Sequence, residues 1–209
     1  MKNPTFFGKS SLAIFFLLGS FVLTAAQNID QSARAVKGRI LISKDAPELR
    51  LKFGKKFKFA GSQRFVLYDR ANAEQYFFVE AANNKIKRLY MLQFEGFLPK
   101  IDGTYDYNEP QTVEIGGSRY FSNTENIANV EAALSAVPGS DIAKAAKFLQ
   151  DKGFTLMKSL KYQRFVRVLD EDKRREFIIL YIEDADIADL SKQSEDFQRR
   201  ALANFKVLK

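Results

Sequence analysis

Residues 75–97 read QYFFVEAANNKIKRLYMLQFEGF. Aromatic and aliphatic side chains dominate both ends of this run, and Asn83-Asn84 interrupts it. Asparagine tolerates the left-handed backbone that a tight hairpin turn needs, so the run splits into two strands, 75–81 and 85–97. In the second strand Ile86, Tyr90, Leu92 and Phe94 fall on one face, interrupted by Arg88. The other face carries Lys85, Lys87, Leu89, Met91, Gln93 and Glu95. Neither face is cleanly wet, which predicts a sheet with material packed on both sides.

The flanking sequence extends the same pattern. RFVLYD (64–69) reads as a strand, and KGRILIS around Ile40 as a short one. TVEIGGSRYF (112–121) reads as two short strands about Gly116-Gly117. YQRFVRVLD (162–170) and EFIILYIED (176–184) form a hairpin across a charged loop, EDKRR. The second of these is apolar on both faces from Phe177 to Ile182, as in a central strand.

Helical spacing appears only between and after these runs. Ile127, Val130, Leu134 and Val137 predict a helix, with Ser122-X-X-Glu125 as a candidate capping box. Ser140 caps a second helix bearing Ile142, Ala145, Ala146 and Leu149, and Gly153 ends it. A last helix starts near Asp189 and carries Leu190, Phe197, Ala201, Leu202 and Phe205. The order implies an α+β fold, a mostly antiparallel sheet packed with about three helices. At 209 residues and 46% apolar content, one well-buried domain is expected, spanning 37–209.

Residues 1–26 differ from the rest. Lys2 and Lys9 precede SSLAIFFLLGSFVLTAA (10–26), the order of a secretory signal peptide. Thr24 and Ala26 suit cleavage before Gln27. A retained anchor is the alternative, but Leu12–Leu23 falls short of the roughly 20 apolar residues that span a bilayer. No later stretch is apolar enough to span. Residues 27–36 read as a flexible lead-in. The expectation is an exported protein of bacterial type, periplasmic or secreted.

Absent residues narrow the chemistry. The chain has no His, Cys or Trp. That removes His- and Cys-based triads, thiolate or imidazole metal sites and disulfides. Carboxylates, Lys, Tyr and oxygen-ligated metals remain. The loop 102–109 and the cluster Glu183, Asp184, Asp186, Asp189 are acidic, but neither has the ligand order of a calcium loop. The second cluster suits the positive end of the following helix. No metal, cofactor or nucleic-acid motif is read.

Charge is uneven. The formal net charge is +8, yet Arg34–Arg64 alone holds ten basic residues and two acids. Within that window LRLKFGKKFKF (49–59) alternates almost without error: Leu49, Leu51, Phe53, Phe57 and Phe59 against Arg50, Lys52, Lys56 and Lys58. It reads as one strand, or as a hairpin turning at Gly54-Lys55-Lys56. The odd positions are core contacts. The even positions are either a solvated edge guarded by lysine or a site for a polyanion.

RFVLYDRANAEQYFFVEA, KRLYMLQFEGFLP, YDYNEPQTVEIGG and LDEDKRREFIILYIED together resemble a small family of uncharacterised exported proteins. The resemblance implies one domain across these segments and carries no activity.

Three functions are compatible with these readings. The first is a non-enzymatic binding domain whose Arg50, Lys52, Lys56 and Lys58 meet an anionic envelope polymer, lipid head group or protein. The second is a carrier or sensor of a small apolar or aromatic ligand, with Phe78, Tyr90 and Phe94 lining the pocket. The third is a glycan-acting enzyme using a carboxylate pair, for which Glu80 and Glu95 are the strand candidates.

Overall fold

A computed structural model describes residues 33–108, 111–185 and 194–209. Residues 1–26, Glu109, Asp186, Asp189 and Leu190, invoked above, lie outside them. Asn83 and Asn84 both take positive φ (49° and 61°) and turn β5 (Ala71–Ala82) into β6 (Lys85–Phe97). These strands belong to a seven-stranded antiparallel sheet with β4 (Lys58–Leu67), β7 (Thr112–Ile115), β8 (Ser118–Ile127), β9 (Leu160–Val168) and β10 (Arg175–Asp184). The order is β4-β5-β6-β10-β9-β8-β7, which places β6 and β10 at the centre.

A second sheet, β1-β2-β3-β11, comprises Arg34–Lys37, Ile40–Ser43, Leu49–Phe53 and Phe205–Val207. All its pairings are antiparallel. Three helices complete the α+β fold: α1 (Val130–Ala136), α2 (Asp141–Asp151) and α3 (Ser194–Ala203).

Each face of the large sheet has its own core. On one face Tyr76, Phe78, Tyr90, Leu92, Phe177 and Tyr181 meet Leu41, Leu51 and Phe53 of the small sheet, with Phe197 and Ala201 of α3. The ring of Phe53 stacks on Phe78 at 4.0 Å and lies 5.1 Å from Tyr90. On the other face Phe77, Val79, Leu89, Met91 and Leu180 meet Ala145 and Leu149 of α2. The two-sided burial read from residues 85–97 and 177–182 is therefore present.

Several local expectations change. The strand from residue 49 ends at Phe53, and the chain turns at Gly54, whose carbonyl accepts from Phe57 N–H at 3.1 Å. The next strand joins the other sheet, so 49–59 is neither one strand nor a hairpin. The lead-in ends before residue 36, because Arg34–Lys37 pairs with β2. Ile86 leaves the Tyr90 face: a bulge sets Glu80 opposite Arg88 but Ala81 opposite Ile86, and Ile86 joins the core under α2. An extra residue reverses the side-chain alternation.

Ser122, Glu125 and Ile127 lie in β8, so Ser122-X-X-Glu125 caps nothing. Asn129 caps α1 instead, accepting from Ala132 N–H at 3.0 Å. Val137, expected on the helix's apolar face, is 51% exposed. Ser140 does cap α2, accepting from Ala143 N–H at 3.1 Å. Phe205 lies in β11 rather than in the last helix.

Phe53 is 1% exposed and contacts aromatics of both sheets. Replacing Phe53 with Ala is expected to lower stability by about 3–5 kcal/mol, the usual range for a fully buried phenylalanine. Urea unfolding measures the loss.

Candidate functional site

Strand alternation builds a basic surface on the outside of the small sheet. Leu41, Leu51, Phe53 and Phe205 point into the core and are buried. The intervening Lys37, Arg50, Lys52 and Lys206 are exposed. Register brings them together: Lys52 opposes Lys206 on one side and Ile40 on the other, and Ile40 opposes Lys37. Arg50 opposes Ile42, and its guanidinium donates to the Lys209 carbonyl at 3.4 Å. The four strands, RAVK, ILIS, LRLKF and FKV, contain no acid.

Only two of the four basic residues read from sequence are on this surface. Lys56 lies in the turn, 4.0 Å from Glu80. Lys58 opens β4 in the other sheet, opposite Val79. The members not foreseen are Lys37 and Lys206. Lys206 alternates with Phe205 and Val207, but nothing local announces that β11 pairs with residues some 150 positions earlier.

The expected aromatic pocket is solid core. Phe78 and Tyr90 are 0% exposed and Phe94 5%. Phe94 stacks on Phe177 at 4.6 Å, with the Arg34 guanidinium 3.8 Å from its centroid. The Tyr90 hydroxyl donates to the Ala201 carbonyl. An apolar cavity of about 60 Å³ exists on the opposite face of the sheet, walled by Leu89 and Met91, by Ala145 and Leu149 of α2, and by Val130 and Leu134 of α1.

Glu80 and Glu95 do not meet. Glu80 faces Arg88 across the ladder and pairs with it at 2.7 Å. Glu95 lies seven residues further along β6, about 23 Å away at the rise of a strand. Its neighbour is Glu176, directly opposite on β10. Tyr105 donates to Glu95 at 2.8 Å, and Tyr107 donates to Glu176. Both tyrosines come from the irregular segment 98–108, tied down where Arg174 donates to the Leu98 and Ile101 carbonyls at 3.1 and 2.8 Å.

Gln93 donates to Glu95 at 2.7 Å and to Asp141 at 3.1 Å, and a side-chain ladder continues through Gln75 to Gln63. Burial pushes the Glu176 carboxyl up to about 7, and the Glu95 charge adds to this. Burial also raises Glu95. This arrangement can hold a proton near neutral pH. Glu176 is only 3% exposed under its tyrosine roof, so the pair forms no open sugar cleft.

Among the described residues of the acidic clusters, Asp106, Glu183 and Asp184 are engaged internally. Asp106 accepts from Thr104 and Lys173; Glu183 pairs with Arg200 and Asp184 with Lys87. Comparisons with protein-family models, curated proteins and solved structures found no match.

The carboxylate pair makes stability depend on pH. Unfolded, the Glu176 carboxyl titrates near its ordinary 4.5; folded, near 7. Between those values the folded chain keeps a proton that the unfolded chain has released, so stability falls as pH rises through this window. E176Q removes the charge and keeps an acceptor for Tyr107. It is expected to flatten the profile and to raise stability above neutral pH, by up to about 3 kcal/mol. Urea unfolding at pH values across this window checks the sign.

Proposed function

We propose that this chain is an exported, non-enzymatic binding domain that docks its basic sheet face on an anionic partner. One observation carries the reading: Lys37, Arg50, Lys52 and Lys206 share the outer face of a sheet whose strands hold no acid. Lysines on a strand often guard a sheet edge against pairing. That explanation does not serve Arg50 and Lys52, because β3 lies between β2 and β11. Lys52 and Lys206 face each other directly, and like charges in that position are destabilising. An anion laid across them relieves the repulsion.

The expected strength is modest. Each cation near an anionic surface contributes about 1 kcal/mol, so four contribute about 4 kcal/mol, a dissociation constant near millimolar. Binding of this kind is reversible and weakens with salt, because the Debye length shrinks to about 8 Å at physiological ionic strength. Envelope polymer, lipid head group and acidic protein share the chemistry required. Export is supported by the charge and hydropathy order of residues 1–26.

The test uses vesicles rich in anionic lipid and, separately, soluble polyphosphate, each at low and raised salt. Salt-sensitive binding is expected to at least one. The quadruple variant K37Q/R50Q/K52Q/K206Q is expected to lose it, while K56Q/K58Q keeps most of it. Salt-insensitive binding to both, no binding to either, or the reverse ranking of the variants contradicts the reading.

A further inference from the structure

We infer that the space beneath α1 and α2 binds the hydrocarbon chain of a single-chain amphiphile. This site is independent of the basic face and lies on the other side of the large sheet. Every side chain lining the cavity of about 60 Å³ is apolar. Such a space offers a polar ligand no hydrogen-bond partner from its walls. Its size admits a narrow chain end and excludes a fused ring system.

The cavity is not closed off. It shares Val130, Leu134, Leu156 and Met157 with a groove of about 570 Å³. The groove's rim adds Asn129, Glu131, Ser135, Gln150 and Lys158. The two spaces adjoin at these shared walls, one lined only by apolar side chains and the other rimmed by polar ones, a division that suits a ligand with an apolar tail and a polar head. Its walls can adapt. Val130 is the one buried residue of the seven-residue α1, so this roof is lightly held. Met91 and Met157 both line the cavity, and unbranched methionine side chains reshape readily around an apolar guest.

The methionines also supply the test. The chain has three, Met1, Met91 and Met157, so two of the three methyl groups report on this cavity. Decanoate, well below its micelle concentration, is titrated into protein carrying ¹³C-methyl methionine. The Met91 and Met157 resonances are expected to move saturably, and acetate is expected to leave them in place.

A145L places a larger side chain in the cavity from α2. It is expected to fold and to weaken decanoate binding by about ten-fold or more. If A145L does not melt cooperatively, A146V replaces it. Unmoved Met91 and Met157 resonances in the wild type overturn the inference. Undiminished decanoate affinity in a folded filling variant does so as well, because the ligand then sits elsewhere.

Discussion

Burial of both faces of β6 and β10 is the constraint on which the rest of the structure depends. Phe177, Ile179 and Tyr181 face the small sheet, while Leu180 and Ile182 face the helices. A strand with no wet face needs a cover on each side, and the chain supplies two unlike ones. The aromatic face is closed by Leu41, Leu51, Phe53 and Phe205. Because side chains alternate, those inward residues force Arg50, Lys52 and Lys206 outward, and a slip of one residue would bury the cations instead. The basic surface is thus fixed by the core beneath it rather than by contacts of its own.

The helix-covered face changes character along the strands. At one end Gln63, Gln75, Gln93, Glu95 and Glu176 form a polar network, which Asp141 at the start of α2 joins. Further along, Ala145 and Leu149 of the same helix cover Leu89 and Met91. Buried polar groups demand partners, and here nearly all come from the sheet and from Tyr105 and Tyr107. The apolar end makes no such demand and keeps unfilled space. One helix therefore seals a proton-holding cluster at its first turn and roofs an apolar cavity beyond it.

Much of this fold was legible in local sequence. Asn83-Asn84 marked the hairpin, Ser140 and Gly153 bounded α2, and the unbroken apolar run 177–182 marked a central strand. What was not legible depended on register between distant segments. Ser122-X-X-Glu125 has the spacing of a helix cap, yet pairing with β9 holds it in a strand. Arg88 faces Glu80 and removes it from Glu95, while the bulge beside that pair turns Ile86 to the other core. Glu176 becomes the neighbour of Glu95 through a ladder spanning some eighty residues. Lys206 joins Lys52 only because β11 returns to β3, which no periodicity near either residue records.

The basic surface as a docking face is the central claim, and lysine protection tests it directly. Acetylation of individual lysines would be compared with and without an anionic lipid surface at low salt. Lys37, Lys52 and Lys206 are expected to be shielded, while Lys147, on α2 across the large sheet, reacts as before. Shielding of Lys147 with Lys37, Lys52 and Lys206 left reactive would contradict the account, because contact would then run through the helical side.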